Sequence, residues 1–325
     1  MAVDKLVDSA QLDGYFTNIA SAIRSKAGVS STYTPAEMPQ AIEDIPSGGG
    51  AIDSLIDRTI SGSINTNVSL IGYNAFAFCS SIQAISAPNC TGIGSYAFAS
   101  CYSLSSLHTP QVQYISVYAF NSCSRLTVAS FPHVDTIGGW AFNNCTVLKE
   151  ANFPTARTMT GSSVFNNCRQ LSSLYFPALL STGTYAFNSC WSITYVEFPE
   201  LLSIASYMFI NCTGISEAYF PKVQYIMNNA FSYCTKLATI SLPSASIFYS
   251  QVFYNCYKLI SLYLMGESVA TLSNSNAFLN TPISNYTTST GGVHGSIFVP
   301  ASLYNSYITA KNWSWYSSRI VSVTE

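Results

Sequence analysis

Ten cysteines are the residues of this 325-residue chain that first suggest chemistry. Nine stand on a grid: Cys79, Cys101, Cys123, Cys145, Cys168, Cys190, Cys212, Cys234 and Cys256. The steps are 22 residues, with one step of 23 between Cys145 and Cys168, and only Cys90 lies off the grid. Thiolates bind zinc, but zinc sites draw on close pairs such as C-x-x-C, and here the closest cysteines are eleven residues apart. If the period folds as stacked turns, thiols of neighbouring turns approach to about 5 Å, which a disulfide could bridge. The other reading is a ladder of buried free thiols acting as small hydrophobes, favoured by the odd number and by the apolar F-x-x-C word around each cysteine. A nucleophilic thiol or hydroxyl needs a base within hydrogen-bond reach. The three histidines do not supply one. His133 follows a proline, His294 lies in a glycine-rich loop, and His108 falls on the outward side of a strand with no acid obvious beside it. No G-x-S-x-G, Walker A or G-x-G-x-x-G word occurs. We therefore expect no catalytic residue, no metal site and no cofactor.

The elements that must position these residues follow from the period. Each unit reads approximately I-x-x-Y-A-F-x-x-C-x-x-L-x-x-L-x-F-P-x-V. A phenylalanine precedes each grid cysteine by three, from Phe76 to Phe253, and a proline follows eight of them by nine, from Pro88 to Pro243. The segment after the cysteine ends in alternation, as in Leu171, Leu174 and Phe176, which predicts a strand with its apolar side inward and the proline at its end. The A-F-x-x-C word places two apolar residues three apart, on one side of a single helical turn. One such unit cannot close a core, but stacked copies can, as a solenoid with one parallel sheet. With strands about 4.8 Å apart, ten rungs span roughly 50 Å.

If positions six and eight after each cysteine point inward, positions five and seven face out. The first rungs are bland there. Later rungs carry Glu150, a row Tyr175–Glu197–Tyr219, a neighbouring row Tyr195–Glu217, and Tyr263. Tyrosines supply flat amphipathic area at little rotamer cost, and carboxylates orient hydroxyls or cations. The combination suits a sugar or a peptide, and it also suits a plain solvated strand surface. Glu197 and Glu217 would be diagonal neighbours roughly 8 Å apart, a spacing that inverting glycosidases use. Nothing on an open sheet would raise one of the two pKa values, so binding is the better reading than hydrolysis.

The A-F-x-x-C and L-x-x-L-x-F-P words resemble the leucine-rich repeats of BspA-like bacterial surface proteins over about residues 55–320. The resemblance implies a right-handed leucine-rich-repeat solenoid, one parallel strand plus a short turn or helix per 22 residues, curved so that the sheet is concave. SLIDRTISGSI (Ser54–Ile64) resembles a first capping turn, and GSIFVPASLYNSYITAKNWSWYSSRI (Gly295–Ile320) the family's closing strand and helix. Between them NAFLN (Asn276–Asn280) reads as a decayed tenth copy with Thr281 in the cysteine slot. The solenoid is thus expected over 52–325, with caps at 52–70 and 266–325.

Residues 1–46 do not share the period. Leu12, Phe16, Ile19 and Ile23 recur at helical spacing, and a second short helix is expected around Pro39–Ile45. Residues 47–51 form a glycine-rich linker. The words NIASAIRSKAG and YTPAEMPQAIEDI resemble an N-terminal module of Firmicutes phage and prophage tail proteins, which implies a helical anchoring or oligomerisation module that contacts other tail proteins or a second copy of the chain.

Composition excludes some partners. Only 9% of the residues are charged, the formal net charge is −2, and no basic run is visible, so no nucleic-acid surface is expected. No stretch approaches the roughly 20 apolar residues of a membrane span, and the first residues lack the apolar core of a secretory signal peptide. The expectation is a non-enzymatic adhesion protein, a phage or prophage tail component or an extracellular one, that recognises a bacterial cell-surface glycan or protein through the concave sheet. The alternatives are a bacterial surface adhesin for host protein or glycan, and third a glycan-active enzyme.

Overall fold

The computed structural model describes residues 58–284 and 294–324. The helices expected in 1–46 and the linker at 47–51 lie outside them. The described chain is a stack of parallel rungs. The strands Ser106–His108, Val128–Ser130, Glu150–Asn152, Ser173–Tyr175, Tyr195–Glu197, Glu217–Tyr219, Thr239–Ser241 and Ser261–Tyr263 occupy the positions that the alternation predicts. Their central residues turn inward, so that Ala129, Ala151, Val196, Ala218, Ile240 and Leu262 are buried while most flanking residues face solvent.

The single sheet expected from the sequence is a simplification. A second parallel ladder of two-residue strands runs beside the first, for example Tyr114–Ile115 paired with Thr136–Ile137 and Tyr225–Ile226 paired with Ile247–Phe248. Its inward member is the isoleucine eight before each cysteine, or Met159, Phe248 and Leu272 in variant rungs.

The A-F-x-x-C word is also not a helical turn. It is a pair of consecutive turns in which the residues five before and one before each cysteine take the left-handed conformation, as in Tyr118 (φ 58) and Ser122 (φ 63). That region costs a non-glycine residue about 1–2 kcal/mol. The geometry turns alternate N–H groups along the stack, where they are satisfied. Tyr118, Phe120 and Ser122 donate to the carbonyls of Gly139, Ala141 and Asn143 in the next rung at 2.7–2.9 Å. Asparagines add a side-chain ladder, with Asn143, Asn166 and Asn188 each donating to the asparagine one rung earlier at 2.6–2.7 Å.

The core is built from the remaining letters of the word. The rings Phe98, Phe120, Phe142, Phe165 and Phe187 stack at centroid separations of 5.1–5.4 Å and interplanar angles of 12° or less. The ten cysteines are free and buried. From Cys101 to Cys256, each grid thiol donates to the carbonyl of the phenylalanine one rung earlier, at 2.9–3.2 Å. A sulfhydryl therefore fills an apolar space and also meets a buried carbonyl, which alanine or valine could not do. Thr281, in the cysteine slot of the decayed copy, is fully buried and donates to Phe278 O at 2.8 Å.

The strand Ser296–Pro300, the helix Tyr304–Thr309 and the strand Ile320–Val323 close the C-terminal end. Trp313 Nε1 donates to Ala270 O at 2.6 Å, Asn312 donates to Leu272 O at 2.7 Å, and the Tyr316 hydroxyl donates to Ser275 O. Trp313 and Tyr316 lie against Phe278 and cover the last ring of the stack.

Candidate functional site

The strands Tyr195–Glu197 and Glu217–Tyr219 pair in register, Tyr195 with Glu217 and Glu197 with Tyr219. Their inward residues Val196 and Ala218 are buried, which fixes the four flanking side chains on the outer face. Each tyrosine thus stands beside a carboxylate of the next strand. Within its own strand, Tyr195 donates its hydroxyl proton to Glu197 Oε2 at 2.9 Å. Loss of solvation, the hydrogen bond to Glu197, and the negative charges of Glu197 and Glu217 push the Tyr195 phenol up to about 12. A proton stays on this oxygen and is held by Glu197.

Tyr175 does not join this sheet. The face divides between the strands Ser173–Tyr175 and Tyr195–Glu197, which are not hydrogen-bonded neighbours. The short-strand ladder stops at the same boundary, where Ser181 keeps only an isolated bridge to Thr158. The turn side does not stop. Phe165 N donates to Ala186 O at 2.8 Å, and Phe187 N to Met208 O at 2.9 Å. The result is a seam open between the two strands and bonded on the turn side, with Leu202 N to Leu180 O at 3.3 Å the backbone link that remains beyond the strands. The unit one rung earlier carries the extra residue. There Gly161 has φ 81, and Gly183 packs so closely on it that a Cβ would fall 1.6 Å from the Gly161 carbonyl oxygen. Thr182 also replaces the inward isoleucine and donates to Met208 Sδ at 3.3 Å.

A cavity of about 240 Å³ lies in the seam, lined by Leu174, Tyr175, Phe176, Pro177, Tyr195, Glu197 and Pro199. Leu174 is only half-buried because no paired strand covers it, and the Phe176–Phe198 rings meet edge-on where Phe153–Phe176 still stack. The strand face also divides between Ser106–His108 and Val128–Ser130, with Leu107 likewise half-buried, but there the short-strand ladder continues.

The structure therefore brings Tyr175, Tyr195 and Glu197 around one cavity, with Glu217 and Tyr219 on the adjoining strand. It leaves two of the expected residues apart. Glu150 lies on the far side of the Ser173–Tyr175 strand, and Tyr263 stacks on Phe298 of the closing strand at 4.6 Å. His108, His133 and His294 are exposed. Burial raises the thiol pKa values, those of Cys145 and Cys212 to about 12, and no group of metal-binding side chains forms among the described residues.

Sequence reasoning passed over one surface. The tyrosine of the Y-A-F word forms an outer stack, Tyr96–Tyr118–Trp140 at 4.7 and 5.1 Å and Tyr185–Tyr207 at 4.7 Å. Its rings cover one another's faces, so mostly edges reach solvent and it makes a poor platform for a flat ligand. The signal was present, since an aromatic recurs five before the cysteine in most units. A second depression, about 490 Å³, is lined by Ser216, Lys236, Ala238, Tyr257, Lys258, Ile260 and Pro282.

No curated protein matches the chain. Among solved structures, a leucine-rich repeat protein of T. pallidum is 27% identical, with 46% of this chain and 72% of that one covered and a TM-score of 0.41. The pneumococcal vaccine antigen PcpA is 14% identical over 82% and 78% of the two chains, with a TM-score of 0.44. A leucine-rich cell surface protein of Faecalibacterium prausnitzii is 18% identical over 80% and 82%, with a TM-score of 0.36. The model of the BspA type leucine-rich repeat region matches in six copies over residues 59–172 and 180–294. With that match covering well over half of its length, the chain belongs to the BspA-type leucine-rich repeat family.

Proposed function

We propose that the protein is a non-enzymatic binding protein that recognises a bacterial cell-surface glycan or protein through its strand face. The observation that carries this reading is the seam cavity with its Tyr175–Tyr195–Glu197 lining, continued by Glu217 and Tyr219. It joins aromatic area to fixed hydrogen-bonding groups on an extended face, the surface through which repeat proteins bind. The carboxylates have no catalytic setting. Glu197 is engaged by Tyr195, and both stand on an open strand surface. We place the protein on a phage or prophage tail, with residues 1–46 as its anchor to other tail proteins. That part rests on the resemblance of the NIASAIRSKAG and YTPAEMPQAIEDI words.

The test is adsorption of purified protein to candidate host cells. Replacing Tyr175, Tyr195 and Tyr219 together by alanine is expected to abolish adsorption while the circular dichroism spectrum is unchanged. Undiminished adsorption of the folded variant would remove the strand face from the account. Genes flanking the coding sequence test the tail assignment. Tail and lysis genes support it, and secretion or wall-anchoring genes in their place refute it.

A further inference from the structure

The strand-face reading leaves the ligand's chemistry open, and the seam cavity narrows it. Its polar side chains are Tyr175, Tyr195 and Glu197; Leu174, Phe176, Pro177 and Pro199 are apolar. The Tyr195 proton is held by Glu197 Oε2, so Tyr195 can only accept from a ligand. Glu197 keeps one oxygen wholly free and can only accept as well. The Tyr175 hydroxyl is the one side-chain donor the cavity offers. No cation answers the negative charge. Among the described residues the ion pair is Lys222–Glu200, next to Pro199 of the cavity wall, in which the lysine is already engaged, and Glu197 has no basic partner. No lysine or arginine occupies an outward strand position from Ala84 to Tyr263, whereas Glu217 stands in register beside Tyr195.

A site that accepts, carries negative charge and is walled by two tyrosine rings and two prolines asks for a ligand group that donates, is positive and has an apolar stem. We propose, on the basis of the strand-face reading, that the seam cavity takes an arginine or lysine side chain of a protein ligand. The charged head meets Glu197 through a charge-assisted hydrogen bond, and the stem lies between Tyr175 and Tyr195, whose ring faces attract the cation. A sugar ring fits less well, because its hydroxyls alternate donor and acceptor around the whole edge and most of the wall is apolar. The cavity's size points the same way. At about 240 Å³ it lies below the usual range for a whole small-molecule ligand, and a single side chain fills it.

The probes are Nα-acetyl-arginine methylamide, its neutral isostere Nα-acetyl-citrulline methylamide, and glucosamine. Each is titrated into the full chain at neutral pH and followed by ligand-observed NMR. The arginine probe is expected to bind about tenfold more tightly than the citrulline probe, and Glu197→Gln to remove that tenfold preference, the scale of one hydrogen bond to a charged group. Tyr175→Ala is expected to weaken the arginine probe by a similar factor. Retained protection of the buried thiols checks that each variant is folded. Equal binding of arginine and citrulline, or a preference untouched by Glu197→Gln, overturns the proposal. Glucosamine binding as tightly as the arginine probe overturns it in favour of an amino sugar. If no probe binds but Tyr219→Ala still lowers adsorption to cells, the cavity assignment falls and the strand-face reading stands.

Discussion

Replacing Cys234 tests whether the cysteine ladder is held by shape alone or by shape and a hydrogen bond. Cys234 is fully buried, and its thiol donates to Phe209 O at 3.1 Å, a carbonyl that also accepts Cys212 N at 3.1 Å. Cys234→Ala removes one sulfur. The lost transfer free energy is about 0.8 kcal/mol, taking sulfur as a methylene. A void of roughly 25 Å³ adds about 0.6 kcal/mol at the usual cost per unit volume. A weak S–H donor lost from a buried carbonyl adds about 0.5 kcal/mol. The expected destabilisation is about 2 kcal/mol. Cys234→Ser loses the apolar sulfur but keeps a donor, and Thr281 shows that a hydroxyl fits this slot, where it donates to the phenylalanine carbonyl of its own unit. The serine variant is therefore expected to be no less stable than the alanine variant. The assay is urea denaturation followed by far-ultraviolet circular dichroism at fixed pH, with reductant present. A serine variant less stable than the alanine variant by 1 kcal/mol or more would refute the hydrogen-bond part of the argument.

Further outcomes follow from the same geometry. Burial holds the thiols protonated, so native protein at pH 8 is expected to react with a chromogenic disulfide reagent at few sites and urea-unfolded protein at ten; rapid native labelling would contradict the buried ladder. Gly183→Ala forces a Cβ onto the Gly161 carbonyl and is expected to cost 1–3 kcal/mol or more, read as a lower denaturation midpoint, whereas an unchanged midpoint would mean the seam relaxes freely. Glu197→Gln is expected to bring the Tyr195 phenol down from about 12 towards its ordinary value, read as the difference in absorbance titration between proteins with and without Tyr195→Phe. Because the folded pKa is raised, this phenol's contribution to stability is complete below the unfolded value and is lost as pH climbs through about 10 to 12; a stability gain in that window would contradict the assignment.

The strand positions were legible because one face is buried, and alternation such as Leu171–Leu174–Phe176 records that directly. The buried thiols were legible because the cysteine shares its word with an inward phenylalanine. The second ladder was not, since strands of two residues show no alternation and Ile115 or Ile226 reads as spacing. The left-handed turns were hidden for another reason. Tyr118, Trp140 and Ser122 have no preference for that conformation, and the stack's hydrogen bonds impose it. Of the candidate site, the outward residues could be numbered, but their grouping could not. Tyr175 was placed in one row with Glu197 on the assumption that every strand pairs with the next. The 23-residue step and Thr182 in an isoleucine slot mark where that assumption fails, and both are visible in the letters.

The seam also bears on how the molecule comes apart. A solenoid is coupled rung to rung, and its cooperativity is only as long as its weakest junction allows. Six rungs precede the boundary and a capped set follows it, and across it the turns, the phenylalanine stack and the asparagine ladder carry most of the linkage. Unfolding that starts at either end would travel to this junction and meet a change in coupling there. The added residue between Cys145 and Cys168 would then resemble a dislocation in a crystal, one misfit beside the only boundary among the described residues at which both ladders stop together.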